Sequence, residues 1–169
     1  LFVEGCGLQN LKREIRNTIC EEYYYDLDLV NCQLNGANEH SKKWGLNVPY
    51  LNEYCINRKK YYHLKQQIIE MFFSDNHVQH LEDELEFDFM IKVNKDFEII
   101  KNYCMGIPEN QERIKILRRS KKGINIRGRL MSDIFNEYEN KILIQAITYL
   151  WNKGFSIKEI VLIFDGFMM

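Results

Sequence analysis

The sequence predicts an α+β fold in which a small antiparallel sheet packs on helices. Residues 23–32 are rich in aromatic and branched side chains, which favour strands. Residues 160–168 form a second apolar run that is interrupted by an Asp-Gly pair, a typical hairpin turn. Between these two segments, apolar residues recur every three or four positions, which is the helical period. Two strand segments therefore frame a largely helical interior of the chain.

The composition limits the classes of protein that the chain can belong to. With 169 residues, the chain suits one domain or a core with one large insertion. A net charge of −1 provides no overall field toward nucleic acid or a membrane surface, so a polyanionic partner would need local basic patches. No apolar run approaches the roughly 18 residues of a membrane span, and no signal peptide opens the sequence. We therefore expect no membrane partner.

The cysteines and the chain ends give two further expectations. The five cysteines show no CxxC spacing, which indicates reduced thiols and an intracellular protein that is not secreted. The chain begins at Leu1 and stops at Met169, directly after an apolar strand pattern. We expect from these ends that the sequence is a fragment of a larger protein.

Two acids interrupt the first strand segment. Alternation along a strand places Asp26 and Asp28 on one face together with Tyr24 and Val30. Two carboxylates on one largely apolar face repel each other and lose hydration, unless a cation lies beside them. The alternative is a strand at the edge of the sheet whose acids are solvated.

The region between the strand segments is expected to be mostly helical. A helical period of apolar residues predicts a helix over 8–21. Pro49 is expected to open a short helix over 50–57. Residues 58–73 also follow a helical pattern, in which Arg58 and Lys65 are cations. Asn and Gly residues predict a turn or loop over 33–38. The acidic residues 81–88 are expected to form a solvated face, followed by a helix near 95–105. The clearest helical period runs from Met131 to Leu150 and stops at Asn152-Lys153-Gly154.

One stretch concentrates positive charge. Residues 113–129 contain eight cations, namely Arg113, Lys115, Arg118, Arg119, Lys121, Lys122, Arg127 and Arg129. Such a stretch would follow a nucleic-acid backbone through phosphate contacts that do not depend on base sequence.

The second acidic position is Asp165, at the end of the apolar run 160–164. A hairpin turn alone explains an Asp-Gly pair. Paired with Asp28, however, Asp165 could help to hold two divalent cations about 3.5–4 Å apart, an arrangement suited to in-line phosphoryl transfer. Mg²⁺ suits such a site because it prefers oxygen ligands and completes its shell with water and phosphate, and Mn²⁺ is the other option.

At these motifs the sequence resembles the palm domain of template-directed nucleic-acid polymerases. Asp28-Leu29-Val30-Asn31-Cys32-Gln33 looks like the first palm motif, and Phe164-Asp165-Gly166 stands where the second catalytic acid occurs. Residues 128–150 resemble the palm helix that precedes that last motif. The longer pattern Asp-x-Asp-Leu-Val-Asn, which begins at Asp26, resembles family A-like polymerase and replication proteins of large DNA viruses, phages and mobile elements.

The resemblance implies a role for each part of the chain. It implies a palm-like sheet divided between residues 1–35 and 126–169, with a helical fingers-like insertion over 36–125. It implies catalytic and metal-ligating roles for Asp28 and Asp165, with Asp26 as an auxiliary ligand. The implied contacts to the incoming nucleotide come from Arg58, Lys65 and Asn31. The implied nucleic-acid contacts come from Arg118, Arg119, Lys121, Lys122, Arg127 and Arg129.

The implied activity is nucleotidyl transfer in template-directed synthesis, with DNA as the expected product. The expected partners are a primer–template nucleic acid, nucleoside triphosphates, and primase or helicase components of a replication complex. The expected location is the cytoplasm or nucleus of a host cell, with a viral factory as a further option. A non-catalytic scaffolding module of a replication complex and a metal-dependent nuclease remain as alternatives.

Overall fold

The computed structural model describes residues 12–20, 22, 26–29, 31–74, 78, 81–120, 125–156, 161–163 and 166–168. The chain divides into two compact units. One unit comprises residues 1–32 and 139–169, and the other comprises residues 33–138. The division of the chain into segments 1–35, 36–125 and 126–169 stays a prediction.

Helices account for most of the described residues. The α-helices are α1 (Arg13–Cys20), α2 (Cys32–Lys43), α3 (Pro49–Ile56), α4 (Lys65–Phe73), α5 (Glu84–Gly106), α6 (Gln111–Ser120) and α7 (Ile126–Asn152). Short 3-10 turns occur at Tyr62–Leu64 and Pro108–Asn110. The strands are β1 (Asp26–Asp28), β2 (Val161–Ile163) and β3 (Gly166–Met168).

The three strands form a sheet in the order β1-β3-β2 within the first unit. Strand β3 pairs antiparallel with β1 on one side and with β2 on the other. The strand and the returning strand expected within 160–168 are therefore confirmed as β2 and β3, whereas residues 164 and 165 of the expected turn lie outside the described residues. Within the strand segment expected over 23–32, the structure describes β1 at Asp26–Asp28, and a helix already begins at Cys32.

The expected α+β fold class is wrong. Helices hold most of the described residues and form the described hydrophobic core, whereas each strand that the structure describes has three residues. The resemblance to a polymerase palm domain is corrected for the same reason, since a palm domain is built around a sheet. Residues 23–32 and 160–168 have side chains that favour strands, but local strand propensity does not by itself produce a sheet large enough to form a core.

The hydrophobic core of the second unit is formed by side chains from α2 to α7. Its largest fully buried apolar members are Leu34, Leu51, Tyr54, Ile68, Phe72, Met90, Phe97, Ile100, Leu130, Met131 and Phe135. Phe72 makes aromatic contacts with Phe97 and Phe135, at ring-centroid distances of 4.8 and 5.3 Å. These contacts join α4, α5 and α7 at the centre of the unit. The core therefore depends on residues far apart in the sequence.

Helix α2 overturns the turn or loop predicted over 33–38. Gly36 lies inside the helix, and a Cβ atom there would lie 2.5 Å from Cε1 of Tyr138. The glycine therefore admits the Tyr138 ring against the helix, rather than bending the chain. Glycine usually weakens a helix interior, which is why Gly36 favoured the prediction of a turn. Packing against the Tyr138 ring explains why glycine lies inside a helix here.

The acidic residues 81–88 have a more specific role than the expected solvated face. Asp83 is the N-cap of α5, and its Oδ1 accepts hydrogen bonds from the backbone N–H groups of Leu85 and Glu86. Glu84 and Glu86 lie in the first turn, where negative charge interacts favourably with the helix dipole. The helix predicted near 95–105 is thus the second half of a longer helix.

Helix α5 carries two buried charged side chains that bind the ends of neighbouring helices. Oδ2 of Asp96 accepts hydrogen bonds from the N–H groups of Tyr50 and Leu51, at 2.8 and 2.9 Å, in the first turn of α3. Nζ of Lys101 donates to the carbonyl oxygens of Met71 and Ser74, at 3.0 and 2.6 Å, at the end of α4. Each charge therefore has the sign that the bound helix end favours.

The start of α7 approaches the end of α4 without an intervening side chain. Oδ1 of Asn125 accepts a hydrogen bond from Gly128 N–H at 2.7 Å, which satisfies one donor of the first turn. A Cβ atom on Gly128 would lie 1.9 Å from the carbonyl oxygen of Phe73. This position therefore requires glycine because two backbones meet there.

The end of α7 confirms the predicted stop. Gly154 has φ +95°, and its N–H donates to Trp151 O, while the N–H of Phe155 donates to Leu150 O. This pair of hydrogen bonds is a Schellman motif, in which a left-handed residue ends the helix. The helices expected over 50–57 and 131–150 are likewise confirmed by α3 and α7. Within the predicted helix 8–21, α1 covers residues 13–20, and residues 8–11 lie outside the described part.

Replacing Gly128 with alanine should destabilise the fold severely. The added methyl group would overlap a backbone carbonyl that cannot move without displacing α4, so we expect a loss of more than about 3 kcal/mol in the free energy of unfolding. Gly106→Ala is the matched control, because nothing lies within 4 Å of a Cβ atom there. Urea denaturation of both variants would show the difference, and equal midpoints would contradict the close approach.

Replacing Asp96 with alanine should lower the free energy of unfolding by about 2–4 kcal/mol, because one buried and one partly buried N–H group lose their acceptor. Asp96→Asn keeps an acceptor and should cost less.

Burial raises the pKa of Asp96, against the lowering effect of its two backbone hydrogen bonds. The folded state therefore holds this proton to higher pH than the unfolded chain does, so this group's contribution to stability falls as pH rises through that window.

The Asn variant lacks this titration. Its stability relative to the wild type should therefore increase as pH rises above the ordinary aspartate pKa. Thermal melts of both proteins across the acidic to neutral range would measure the effect. A constant difference between the two melting temperatures would refute the assignment.

Candidate functional site

The sheet of the first unit pairs the strand that contains Asp26 and Asp28 with the strand that follows Asp165 in the sequence. Asp28 is the Cα partner of Gly166, and Asp26 is the partner of Met168. Gly166 directly follows Asp165 in the sequence, and Asp165 lies outside the described residues. The backbone register therefore brings together two segments that are more than a hundred residues apart in the sequence. A shared metal site between their carboxylates stays a prediction.

Asn31 follows the acidic strand and precedes α2. Its φ of 53° lies in the left-handed region, which asparagine tolerates better than most residues. The side-chain Nδ2 is buried and has no hydrogen-bond acceptor among the described residues. The backbone thus gives Asn31 a structural role in turning the chain from strand to helix. Its predicted contact with a nucleotide is not tested by this geometry.

Arg58 and Lys65 do not lie on one helix. Arg58 lies in a turn after α3, whose C-cap is Asn57, whereas Lys65 is the first residue of α4. The single helix predicted over 58–73 is therefore wrong, because the chain breaks into a turn and a 3-10 segment before α4 begins. Both side chains are partly buried. The Nε atom of Arg58 is buried and has no hydrogen-bond partner among the described residues.

Several cations of the basic stretch are paired with carboxylates. The pairs are Arg113 with Glu137 at 2.7 Å, Lys115 with Glu112 at 3.4 Å, Arg127 with Glu98 at 2.6 Å, and Arg129 with Asp133 at 3.4 Å. Arg127 also donates to Oδ1 of Asn102 at 3.1 Å. Part of the positive charge counted in the sequence is therefore balanced within the fold.

The Arg127 pair has an electrostatic consequence for its partner. Burial alone would raise the pKa of Glu98, but the hydrogen bond and charge of Arg127, together with Lys101, lower that pKa below its ordinary value. Glu98 is thus held ionised between two cations. This arrangement makes Arg127 part of the structure around α5, which weakens the case for a nucleic-acid contact there.

Arg118 and Arg119 remain as exposed cations in the last turn of α6. The structure shows no ion pair for either of them within its described ranges. Lys121 and Lys122, which follow directly in the sequence, lie outside those ranges. Among the described residues of the basic stretch, the cations without an ion pair therefore lie at the end of α6.

Two cysteines are poor candidates for nucleophiles. Burial raises the pKa of Cys55 and of Cys104 to about 12, so both thiols stay protonated at neutral pH. Among the residues that the structure describes, no group of three His, Cys, Asp or Glu side chains could hold a metal ion. No helix in the same part of the chain is long and apolar enough to cross a membrane.

Comparisons with known proteins add no relative: no family model, no curated protein and no solved structure matches the chain.

Sequence reasoning missed the most informative polar side chains of the second unit. The phenol of Tyr54 is fully buried, and its oxygen has no hydrogen-bond partner among the described residues. Tyr54 lies on α3, four residues before Arg58, which also has an unpartnered buried nitrogen. The spacing of four was available in the sequence, but nothing in it indicated that both groups would be buried without partners.

Proposed function

We propose that the chain takes part in nucleotidyl transfer on nucleic acid, at a metal site that includes Asp28 and Asp165. The single observation that supports this is the strand register, which pairs Asp28 with the residue next to Asp165. Function of this kind depends on a local set of ligands rather than on a fold class. A small sheet in a helical protein is therefore compatible with it.

The donor set fits Mg²⁺, or Mn²⁺ in its place. Carboxylate oxygens are the ligands that both ions accept, and Asp26 provides a third carboxylate two residues from Asp28 on the same strand. When bound, two such ions would supply the charge neutralisation that in-line phosphoryl transfer requires. In this proposal the aspartates hold the ions, and the protein's cations orient the phosphates of the substrate.

The proposed substrates are nucleoside triphosphates and a primer–template nucleic acid. Arg58, Lys65 and Asn31 are the proposed contacts to the nucleotide, and Arg118 and Arg119 are the best-supported contacts to nucleic acid because they are exposed. Primase or helicase components are proposed partners in a replication complex. The described cysteines Cys32, Cys55 and Cys104 are free thiols, which supports the proposed intracellular location.

Replacing Asp28 or Asp165 with asparagine should weaken Mn²⁺ or Mg²⁺ binding at least about tenfold, because loss of even an outer-shell metal partner has that effect. Primer extension should be lost in both variants. Glu109→Gln is the control, since it removes one exposed carboxylate far along the sequence from the sheet. Calorimetric metal titration and a primed-template assay give independent readouts, and circular dichroism checks folding.

The alternatives predict different outcomes of the same assays. A metal-dependent nuclease would cleave the template without extending the primer, and the same aspartate variants would abolish cleavage. A scaffolding module would bind nucleic acid without any metal-dependent turnover. If both variants bind metal and extend a primer as the wild type does, the proposed site is wrong.

Replacing both Arg118 and Arg119 with glutamine should weaken binding to single-stranded or duplex DNA without regard to base sequence. If each arginine contacts one phosphate, the slope of log affinity against log salt should become shallower by about 1.8 for duplex DNA. Arg113→Gln is the control, because Arg113 is already paired with Glu137. Fluorescence anisotropy over a salt series measures the slope, and an unchanged slope would exclude the end of α6 from the interface.

A further inference from the structure

Two aromatic side chains meet at the surface of the second unit, where the end of α2 approaches the last turn of α5. Trp44 directly follows α2, and Tyr103 lies on α5. Their ring centroids are 5.0 Å apart and their planes are inclined by 34°, so the two rings contact each other. The ring of His40, one turn before Trp44, lies 5.1 Å from the Trp44 ring. Tyr103 stays 37% exposed, so this aromatic pair reaches the surface.

The chain beside the aromatic pair leaves open space. Gly45 directly follows Trp44, and Gly106 lies three residues after Tyr103 on α5. A Cβ atom at either glycine would have no neighbouring heavy atom within 4 Å. Trp44 also packs against the core, so its position is fixed by the fold. A rigid aromatic pair with room beside it can therefore accept a flat ligand.

Positive charge lies on both sides of the aromatic pair. Lys43 directly precedes Trp44, and Lys95 lies eight residues before Tyr103 on α5. Both lysines are exposed, and the structure gives neither an ion pair within its described ranges. Steps of four residues place Lys95 on roughly the same side of α5 as Tyr103, about 12 Å away along the helix axis.

The acids that precede the two rings on α2 and α5 are already engaged. Glu39 pairs with Lys42 at 2.7 Å, and Glu98 pairs with Arg127 at 2.6 Å. Asp96 is buried and accepts its hydrogen bonds from the first turn of α3. The two exposed lysines therefore leave positive charge beside the rings. Such a surface is complementary to a polyanion that carries flat aromatic groups.

We propose that Trp44 and Tyr103 form a stacking platform for a base of single-stranded nucleic acid, with Lys43 and Lys95 beside its phosphates. Every nucleobase has a flat π face, so aromatic side chains bind single strands with little regard to sequence. Lysines that neutralise phosphates strengthen such binding. A duplex keeps its bases stacked inside, so the platform selects single strands. An uncharged peptide would cover the rings but would leave both lysines without a partner.

This platform deepens the proposed function, on which it rests for its partner, and it specifies an unpaired strand. Stacking requires neither a metal ion nor Asp28 and Asp165. Binding can therefore be measured with EDTA present, where failure of the metal site has no effect. Conversely, failure of the platform would leave metal binding by the aspartates unaffected.

The test uses Trp44 as its own reporter. The chain has two tryptophans, Trp44 and Trp151, so Trp151→Phe leaves Trp44 as the single one. An oligothymidylate is titrated into this variant in EDTA, and an abasic strand of the same length supplies the same phosphates without bases. We expect oligothymidylate to quench Trp44 emission and to bind about fivefold or more tighter than the abasic strand, because only it can stack.

Substitutions separate stacking from charge. Tyr103→Leu keeps an apolar contact with Trp44 but removes the ring, so it should weaken oligothymidylate binding about fivefold or more and leave the abasic strand unaffected. Tyr149→Leu is the matched control, because Tyr149 is an exposed tyrosine of the other unit. Joint replacement of Lys43 and Lys95 with glutamine should make the slope of log affinity against log salt shallower by about 1.4. Circular dichroism checks the fold of each variant.

Several outcomes would overturn the proposal. These are binding of oligothymidylate without a change in Trp44 emission, equal affinity for the abasic strand, equal affinities of the Tyr103→Leu and Tyr149→Leu variants, and no binding of either strand. Trp44 emission that changes with protein concentration but not with oligothymidylate would also overturn it, since a second copy of the chain would then cover the rings.

Discussion

The helical unit depends on two buried charges that α5 directs to the ends of other helices. Asp96 binds the first turn of α3, and Lys101 binds the last turn of α4. Five residues separate them, which places them about 140° apart around the helix axis. One helix can therefore hold two neighbours on different sides. Each contact satisfies backbone groups that would otherwise be buried and unpaired, so loss of either charge would disturb a whole helix.

Several cations of the chain are bound within the fold and are not available to a ligand. Lys101, Arg127 and Arg113 are each engaged with carbonyl or carboxylate oxygens of the fold. Arg118 and Arg119 at the end of α6 and Lys59 in the turn after α3 are among the described cations that stay exposed without an ion pair. A count of positive residues in the sequence therefore overestimates the basic surface. The useful distinction is between charge that completes a helix end or an ion pair and charge that faces solvent.

The candidate site shows how far a sequence pattern can reach. Alternation and turn chemistry identified the strand with Asp28 and the hairpin around Gly166, and the structure pairs these strands. The expectation of a palm domain failed because short motifs describe a few residues around a site, whereas a fold is decided by what fills the core. The complete burial of the Tyr54 phenol could not be predicted, since the core around it includes residues from helices distant in the sequence.

The sequence by itself determined the local elements whose signals lie within a few residues. These include the proline that opens α3, the period of α7 and the glycine that ends it, and the hairpin of β2 and β3. Only the tertiary structure decided that Gly36 belongs inside a helix, because the Tyr138 ring that requires it is a hundred residues away. It likewise decided which charges are buried. Local propensity acts through neighbours in the chain, whereas helix capping and packing across the core depend on neighbours in space.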